Sequence, residues 1–583
     1  MNTAERKIVN ILANTDFTNQ RELSRASGCS LGAVNHALKN LQQAQWLDAN
    51  MALTDRARAE IDARKPKNAI LLAAGFGMRM VPINLETPKA FLEVHGERLI
   101  ERAIRQLHEA GIHEIYVVVG FMKEQFEYLI DEFGVELIVN PAYATSNNLH
   151  SLALAAEHLD NSYIVLSDIW CRENPFRSRE LHSWYLVSDA ISPTSQFRVN
   201  RDMELVHTPE NGNTILGTCY LLREDSRRVA QRIREMDRDP GYAQAFWEES
   251  LLEKGRLTVD ARVVPADSAV ELNTYEQLRE LDGTSAQLKS HVLQVAAQTL
   301  HCSLSEITNI QALKKGMTNR SFLFVCRQIP YIMRIPGEGT DRLINRREEA
   351  AVYDIIRDRN ICDEILYINP DTGYKISKFL PGARCCDAYD PEDVKKCMAR
   401  LRSFHAMKLK VDHSFDLFGK IEFYESLWEG RPSVYRDYQQ TKEHVFSLRP
   451  YIDAHAGERI LTHIDAVPHN FLFCRGERGE EEVRLIDWEY AGMQDPHLDL
   501  AMFCIYALYD RAHVDALIDS YFTEGCSRET RLKIYCYLAV GGLLWSNWCE
   551  YKHHLGVEFG EYSLRQYRYA KDYYRIFREE STK

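Results

Sequence analysis

The hydrophobic pattern of this 583-residue chain changes twice along its length, and these changes constrain the fold more than any other feature. Residues 1–65 place apolar side chains at helical spacing and end in a short alternating stretch. Residues 66–285 alternate strand-like and helix-like runs, which predicts a largely parallel sheet with helices on both faces. Residues 286–583 begin with strands and continue mainly as helices. The pattern therefore predicts a multidomain α/β and α+β protein with three segments.

Composition and charge exclude several classes of protein. With 45% apolar and 27% charged residues, the chain is neither collagen-like nor disordered. Its net charge of −13 is spread along the sequence, so the whole chain is not built to coat nucleic acid. Fourteen cysteines without a C-x-x-C pair favour reduced thiols and a cytoplasmic location. The longest apolar run, near Ile534–Trp545, is too short to span a bilayer, so no membrane insertion is expected.

Residues 1–65 contain three predicted helices and then a short alternating stretch that could form a wing. This arrangement resembles winged helix-turn-helix domains. The third helix, Leu31–Gln43, would then present Asn35, His36 and Lys39 to DNA. Nine basic against seven acidic residues leave this segment with a charge of +2, which is small for binding driven by phosphates. DNA binding and a docking or regulatory role are therefore both considered for residues 1–65.

A glycine-containing loop follows the first predicted strand of the second segment, Ala69–Ala73. Glycines in such a loop allow backbone N–H groups to close around a triphosphate. Arg79 offers a rigid positive fork, and Lys89 follows ten residues later, so we assign both as catalytic residues. The predicted nucleotide-binding positions of the loop itself are Ala74, Gly75 and Gly77.

The loop and the motifs after it resemble nucleotidyltransferases with a Rossmann-like fold, and bacterial CTP:phosphocholine cytidylyltransferases in particular. The resemblance implies that Asn147 and Asn148 lie at the nucleotide base and that Asp168, after a strand, holds Mg²⁺. Magnesium prefers carboxylate and phosphate oxygens as ligands. Asn273 stands where the family has its second metal-binding aspartate, and an amide oxygen can also bind Mg²⁺.

The family's acceptor-binding stretch, which combines an aromatic and an acidic residue, is matched by Trp247 and Glu248. A tryptophan beside a glutamate can hold a quaternary ammonium by cation–π attraction and by charge. The alternative is a tryptophan on the surface of a helix. The segment Ser183–Glu210 departs from the family pattern.

The third segment contains the strongest motif of the chain, H-x-D-x₄-N at His463–Asn470. Sixteen residues separate Asn470 from Asp487, which ends an apolar strand. This is the spacing of a kinase catalytic loop and its metal-binding aspartate. Asp465 would accept the proton of an attacking hydroxyl, while Asn470 and Asp487 would hold Mg²⁺ on a triphosphate. The pattern predicts a bilobal, kinase-like phosphotransferase.

The predicted small lobe supplies the remaining parts of a kinase site. Arg334 occupies the strand position where protein kinases have a lysine, and Glu349 points inward from the next helix as its partner. Glu348 is the second choice, and a solvated run of charges is the alternative interpretation. The predicted phosphate-covering loop contributes Gly316, Thr318 and Asn319.

An arginine in place of the lysine, with the sequence IDWEY after the catalytic loop, resembles choline/ethanolamine kinases, relatives of the aminoglycoside phosphotransferases. The resemblance covers about residues 300–575. It implies a box for the cationic head of the substrate, formed by Glu489, Trp545, Trp548 and Tyr562. Tryptophans three apart share one face of a helix, and packing in the core is the alternative.

Together the two resemblances imply a bifunctional enzyme that uses ATP, CTP and Mg²⁺. The kinase would phosphorylate choline, and the transferase would join phosphocholine to CMP, giving CDP-choline and pyrophosphate. The expected partners are thus an amino alcohol and its phosphate, with nucleic acid possible through residues 1–65. Two alternatives stay open. The amine could be ethanolamine or another amino alcohol, or the chain could be a transcriptional regulator that senses nucleotide or choline.

Overall fold

The computed structural model describes residues 1–583 except 2, 15–18, 78–79, 84–86, 314–318, 338–339, 341–342, 477–478, 555–556, 558 and 583. The chain packs as two compact units. The first comprises Met1–Val295 and Ile310–Ala312, and the second comprises Ala296–Asn309 and Leu313–Lys583. Both of the first two predicted segments therefore lie within the first unit.

The N-terminal part of the first unit contains four helices. They are α1 (Thr3–Asn14), α2 (Gln20–Ser27), α3 (Leu31–Gln43) and α4 (Asp55–Ala63). Ser30 caps α3 by accepting a hydrogen bond from the Ala33 N–H at 3.2 Å, and Gly28 ends α2 with φ +65°. The alternating stretch predicted to form a wing has one isolated β-bridge, between Leu47 and Leu53, and α4 was not predicted.

The remainder of the first unit is built on one large sheet. The strands of this part are β1 (Asn68–Ala73), β2 (Glu93–Val94), β3 (Glu97–Arg98), β4 (Glu114–Val119), β5 (Glu136–Val139), β6 (Ser162–Leu166), β7 (Ile169–Cys171), β8 (Trp184–Ser192), β9 (Phe197–Val199), β10 (Glu204–His207), β11 (Gly212–Leu221), β12 (Leu252–Glu253), β13 (Arg256–Val264) and β14 (Ala269–Glu271). The pairs β2-β3 and β7-β14 form two separate two-stranded sheets. Its helices are α5 (Leu99–Glu109), α6 (Tyr128–Phe133), α7 (Asn148–Leu154), α8 (Arg223–Asp237) and α9 (Tyr275–Leu281).

The order of the large sheet is β5-β4-β1-β6-β11-β8-β13-β10-β9, with β12 paired to β13. β5, β4, β1 and β6 pair in parallel, as predicted. β11 runs antiparallel to both β6 and β8, whereas β13 pairs with β8 in parallel, so the second half of the sheet is mixed rather than largely parallel. The parallel strands end together at one edge, which is where ligands bind in sheets of this kind.

The four N-terminal helices contact the large sheet at the end opposite to the edge where the parallel strands finish. Tyr220 Oη donates a hydrogen bond to the Arg64 carbonyl at 2.7 Å, and Asn161 Nδ2 donates to the Ala63 carbonyl at 2.8 Å. Leu181 belongs to the same apolar cluster as the helices. The outer face of α3 stays exposed in this arrangement. The unit therefore holds the helices in place without covering that face.

The second unit begins with a small lobe around a five-stranded sheet of order β15-β16-β17-β19-β18. These strands are β15 (Ile307–Ala312), β16 (Asn319–Cys326), β17 (Ile329–Pro336), β18 (Ile365–Ile368) and β19 (Lys375–Lys378). Helix α10 (His291–Thr299) crosses the boundary of the two units, and α11 (Arg346–Ile356) follows β17. The sequence predicted that the third segment begins with strands, and this small lobe confirms it.

A larger, mainly helical lobe completes the second unit. Its helices are α12 (Pro391–Ala406), α13 (Leu417–Ser426), α14 (Tyr438–Phe446), α15 (Arg449–His455), α16 (His497–Tyr506), α17 (Arg511–Tyr521), α18 (Arg528–His554) and α19 (Glu561–Ser581). Its short strands are β20 (Arg384–Cys385), β21 (Ile460–Thr462), β22 (Phe471–Arg475), β23 (Glu481–Leu485) and β24 (Gly492–Gln494). β21 and β22 flank the predicted catalytic loop.

Helix α18 lies in the centre of the helical lobe and is buried over most of its 27 residues. Gly542 permits the close approach of α19, since a Cβ there would lie 2.7 Å from the Gln566 carbonyl oxygen and from Tyr569 Cβ. Despite the length of α18, the described helices include none that is long and apolar enough to cross a membrane.

Candidate active sites

A cavity of about 200 Å³ opens where the parallel strands of the large sheet end. Eight of the residues assigned from sequence line it: Ala74, Gly75, Gly77, Lys89, Asn147, Asn148, Asp168 and Asn273. Gly77 has φ +64°, and a Cβ there would lie 3.2 Å from Lys89 Cβ. The glycine is therefore required both for the backbone conformation and for the position of the lysine.

Lys89 connects the two positions assigned to the metal ion. Its ammonium forms an ion pair with Asp168 and donates a hydrogen bond to Asn273 Oδ1 at 2.8 Å. Asp168 Oδ1 is buried and has no hydrogen-bond partner among the described residues. A buried carboxylate oxygen without a partner, next to an amide oxygen, suits a hard cation such as Mg²⁺.

The side chains of Asn147 and Asn148 hold one wall of this cavity in place by hydrogen bonds to backbone groups. Asn147 caps α7, and its Nδ2 donates a hydrogen bond to the Gln244 carbonyl at 3.1 Å. Asn148 Oδ1 accepts a hydrogen bond from the Trp247 N–H at 2.9 Å. These bonds join the start of α7 to residues 244–247, so Phe246 projects into the cavity with 55% of its surface exposed.

The structure places Trp247 and Glu248 away from the cavity lining, contrary to the predicted cation-binding pair. Trp247 is fully buried and stacks on Tyr185 at a centroid distance of 5.9 Å. The Tyr185 hydroxyl donates a hydrogen bond to Glu248 Oε1 at 2.7 Å, and burial raises the pKa of Glu248 to about 7. Trp247 is therefore neither an aromatic cage residue nor a residue of a helix surface. The motif's cavity-facing aromatic residue is Phe246.

The second unit contains a cavity of about 380 Å³. Nine residues assigned from sequence line it: Asn319, Arg334, Asp465, Asn470, Asp487, Glu489, Trp545, Trp548 and Tyr562. Glu349 does not line the cavity in the part of the chain that the structure describes, but it contacts Arg334. The assigned residues Arg79, Gly316 and Thr318 lie outside the described residues.

The predicted catalytic loop brings its acidic and amide side chains together. Asn470 Nδ2 donates hydrogen bonds to the Asp465 carbonyl at 2.9 Å and to its Oδ2 at 3.1 Å. Burial raises the pKa of Asp465 well above its usual range, and the charge of Asp487 raises it further. Burial also raises the pKa of Asp487. Two mutually repelling buried carboxylates suit a site that receives cations with its substrate.

Asp499, which sequence reasoning missed, fixes the start of the catalytic loop by hydrogen bonds to its backbone. Its carboxylate accepts hydrogen bonds from the His463 N–H at 3.0 Å and the Ile464 N–H at 2.7 Å. Ile464 has φ +69°, a conformation that is costly for a β-branched residue. His405 Nε2 lies 3.0 Å from the same carboxylate. A buried acid at the start of the apolar helix α16 was the available signal.

The predicted ion pair of the small lobe is present and is fully buried. Arg334 Nη2 lies 3.0 Å from Glu349 Oε2, and Nη1 binds the other oxygen. Arg346 was not assigned from sequence, and its Nη1 lies 3.0 Å from Glu349 and 3.2 Å from Glu489. Arg347 and Glu348 of the same charged run are exposed. Arg346 and Glu349 of this run therefore belong to the buried ion-pair network, whereas Arg347 and Glu348 lie on the solvated surface.

The aromatic side chains form one wall of the second cavity. Trp545 and Trp548 contact each other edge to face at a centroid distance of 5.7 Å, as their spacing on a helix predicted. Tyr490 stands perpendicular to Trp545 at 5.8 Å, and Tyr506 contacts Tyr562 at 5.8 Å. Tyr490 and Tyr506 also line the cavity and were not assigned from sequence. The wall therefore presents five aromatic rings opposite the catalytic loop.

Glu489 lies between the aromatic wall and the ion-pair network. Its Oε2 accepts a hydrogen bond from Asn319 Nδ2 at 2.8 Å and pairs with Arg346. Burial and the charge of Asp487 raise the pKa of Glu489 to about 7. The residue is thus held rigidly at the cavity, with its charge partly compensated by an arginine.

Family models match parts of all three predicted segments of the chain. Residues 310–530 match the choline/ethanolamine kinase model, residues 69–190 the MobA-like NTP transferase model, and residues 1–47 the winged helix-turn-helix DNA-binding model. The chain is therefore an enzyme that combines a nucleotidyltransferase with a kinase, and it uses nucleoside triphosphates as substrates.

Comparison with individual proteins shows which nucleotidyltransferases and kinases the chain is similar to. The chain is 30% identical over 220 residues to a choline-phosphate cytidylyltransferase of Streptococcus pneumoniae, covering 37% of this chain and 96% of the relative. It belongs to the choline-phosphate cytidylyltransferase family. It is also 26% identical over 266 residues to Protein LicA of Haemophilus influenzae, covering 43% of this chain and 96% of that protein. The crystal structure of choline kinase LicA from Streptococcus pneumoniae aligns with 49% of this chain and all of that chain, at 27% identity and a TM-score of 0.43.

Proposed function

We propose that the protein converts choline to CDP-choline in two steps. The second unit would phosphorylate choline with ATP, and the first unit would transfer CMP from CTP to the resulting phosphocholine. The observation that carries this proposal is the second cavity, which has an aromatic wall on one side and the Asp465–Asp487 pair on the other. Cation–π attraction on the wall would hold a quaternary ammonium while the acidic side faces its hydroxyl.

In the kinase step, the choline hydroxyl oxygen attacks the γ-phosphorus of ATP, and the bond to the β,γ-bridging oxygen breaks. Asp465 takes the hydroxyl proton, and ADP leaves with the bridging oxygen. The raised pKa of Asp465 makes it a stronger base than an exposed aspartate. Asn470 holds the side chain of Asp465 in place through its hydrogen bond.

In the transferase step, a phosphate oxygen of phosphocholine attacks the α-phosphorus of CTP, and pyrophosphate leaves. Lys89 and Arg79 would stabilise the negative charge that develops on the α-phosphate and on the leaving group. Lys89 first has to leave its ion pair with Asp168. No proton needs to be taken from the acceptor, because its phosphate is ionised at neutral pH.

Magnesium would be held by Asn470 and Asp487 in the second unit and by Asp168 and Asn273 in the first. A bound Mg²⁺ ion neutralises phosphate charge and orients the triphosphate. The described residues contain no cluster of three His, Cys, Asp or Glu side chains arranged to hold a metal ion. The nucleotide's own phosphate oxygens would therefore complete each coordination shell, as is usual for Mg²⁺.

The experiment that tests this proposal measures ATP- and CTP-dependent turnover of the full chain with a panel of amino alcohols and their phosphates. Choline should give the highest kcat/KM in the kinase step, and phosphocholine in the transferase step. Preference for ethanolamine would change the substrate but keep the chemistry. Absence of turnover with every amine would contradict the enzyme proposal and favour a sensing role. The cytoplasm, which supplies both nucleotides, is the proposed location.

A second proposed function, DNA binding by residues 1–65, is favoured by the exposed outer face of α3. Asn35, His36 and Lys39 are all exposed there, whereas Val34 and Leu38 are buried beneath them. Fluorescence anisotropy with DNA fragments, measured over a range of salt concentrations, tests it. Lys39→Ala should weaken binding and lower the salt dependence, and the exposed Lys65 at the end of the segment provides a matched control, Lys65→Ala.

A further inference from the structure

A lysine of the chain itself lies beside the aromatic wall of the kinase cavity. Lys552 follows Trp548 by four residues on α18, about one turn further along the helix, and its Nζ lies 5.6 Å from the centroid of the Trp548 ring. Trp548 is 3% exposed and lines the cavity, whereas Lys552 is not one of the residues that line it. A positive charge is therefore within cation–π distance of a ring proposed to hold the cationic head of the substrate.

The Lys552 ammonium is buried and only partly compensated. Lys552 is 9% exposed, and its side chain forms no ion pair with any residue that the structure describes. Burial lowers the pKa of Lys552, and the charge of Glu489 acts in the opposite direction. Glu489 lines the cavity and is itself paired with Arg346. Lys552 thus adds a positive charge next to the aromatic wall that one shared carboxylate balances in part.

A second cation near the same ring is repelled by the first. An ammonium bound to Trp548 would lie within about 6 Å of the ring centroid, and therefore within about 12 Å of Lys552 Nζ. At that separation, and with an effective dielectric constant of about 20, the repulsion of two unit charges weakens binding about tenfold. The repulsion acts through charge and not through shape, because Lys552 does not line the cavity and takes no space from a substrate.

We propose that Lys552 limits the affinity of the aromatic wall for cationic heads and so sets the KM for the amine. Phosphoryl transfer leaves the ammonium of the substrate unchanged, so the same repulsion acts on phosphocholine. Lys552 thereby favours release of the intermediate that the transferase step consumes. This inference rests on the kinase half of the proposed function.

The test replaces Lys552 by methionine in the full chain, because methionine keeps the length and the apolar contacts of the lysine stem. We expect the KM for choline to fall about 3- to 10-fold, and the inhibition constant of phosphocholine to fall by the same factor. The kcat for choline should not rise, since the interaction is the same in the bound substrate and in the transition state. The KM for ATP and the CTP-dependent rate should change less than about twofold.

Three controls separate the charge of Lys552 from its shape. Lys552→Arg keeps the positive charge and should leave the KM for choline within about twofold of the wild type. The neutral carbon isostere of choline, in which carbon replaces the ammonium nitrogen, should inhibit the wild type and Lys552→Met equally. Lys395→Met is the matched surface control, since Lys395 is exposed on α12 of the same lobe, and it should behave as the wild type.

The unfolding temperature distinguishes repulsion from a structural role of the lysine. Lys552→Met should unfold at the same temperature as the wild type or higher, because a buried charge is removed. If Lys552 instead held the Trp548 ring in place, its loss would loosen the aromatic wall. The KM for choline would then rise and the unfolding temperature would fall.

A KM for choline that is unchanged or higher in Lys552→Met would overturn the inference. A lower KM for choline together with equally stronger inhibition by the neutral isostere would also overturn it, since the cause would then be shape. A wild-type protein that phosphorylates no amine would contradict the proposed function, and this inference with it. If Lys552→Met does not fold, Lys552→Gln gives the same comparison with a neutral polar side chain.

Discussion

Lys89 Nζ lies 2.8 Å from Asn273 Oδ1 while the same ammonium pairs with Asp168. One positive charge thus balances one carboxylate at the position proposed for the nucleotide's metal ion. Asn273 adds no charge to this pair, and Glu271 is a further acidic residue in the lining of the same cavity. The lysine contacts Asp168 Oδ2 and Asn273 Oδ1, so it has to move toward the phosphates before these two oxygens can bind a metal ion.

Asn273→Asp should therefore increase the affinity of the first unit for divalent cations. The added carboxylate makes the site more negative by one charge, which attracts a divalent ion more strongly. We expect the Mg²⁺ concentration for half-maximal CTP-dependent activity to fall about three- to tenfold. Binding of Mn²⁺ without nucleotide, followed by electron paramagnetic resonance, should strengthen in parallel.

The kinase reaction of the same polypeptide is the control for Asn273→Asp. Its requirement for Mg²⁺ should be unchanged, because its proposed metal ligands, Asn470 and Asp487, lie in the other unit. If the variant needs as much Mg²⁺ as the wild type for CTP turnover, Asn273 is not at the metal position.

Asp465→Asn should abolish phosphorylation of the amine without affecting the transferase. Asparagine keeps the shape of the side chain but cannot take the hydroxyl proton, so kcat should fall about 10²- to 10⁴-fold. Release of ADP and formation of CDP-choline from added phosphocholine are the two measurements. The reciprocal variant, Asp168→Asn, should make phosphocholine accumulate when choline, ATP and CTP are supplied together. Loss of both activities in either variant would mean that the sites are not independent.

Much of this fold was predictable because its periodic signals are local. The parallel half of the large sheet and the helix carrying Trp545 and Trp548 follow directly from hydrophobic patterns. The mixed half was missed, since the direction of β11 depends on a connection that has no short sequence signal. Helix α4 was missed because its burial is limited to a few positions, such as Ala57 and Ile61.

The sites were predictable where a motif places residues on one loop and less so where distant strands meet. Asp465 and Asn470 share a loop, and both line the expected cavity. Arg346 was not assigned, because it belongs to a run of charged residues and such residues are usually exposed. Trp247 was misplaced because the turn around Phe246 decides which of two neighbouring aromatic residues faces the cavity.

The stability of the first unit should depend on pH through Glu248. Burial raises the pKa of Glu248 from 4.5 to about 7, so the folded form keeps a proton that the unfolded form has already released in this range. Stability is therefore full below about pH 4.5 and is lost as pH rises toward 7, by about 3 kcal/mol in total. Glu248→Gln stays neutral and should remove this loss.

The thermal unfolding temperature, measured between pH 5 and 8 in buffers of matched ionic strength, tests this dependence. Glu249→Gln is the matched control, since Glu249 is the neighbouring residue and is exposed. The wild type and the control should show the same decline with rising pH, and Glu248→Gln should show a smaller one. Equal declines in all three proteins would place the responsible group elsewhere.

Substitution of Phe246 should affect substrate binding and substitution of Trp247 should affect stability, although the two residues are adjacent in sequence. Phe246→Ala removes an exposed ring from the cavity wall, so we expect a higher KM for CTP or phosphocholine with little change in unfolding temperature. Trp247→Ala removes a fully buried ring that stacks on Tyr185, which should cost about 3–5 kcal/mol of stability. Trp247→Phe keeps most of the packing and should leave both KM values unchanged. A raised KM for phosphocholine in Trp247→Phe, with Phe246→Ala unaffected, would restore Trp247 as the residue that contacts the acceptor.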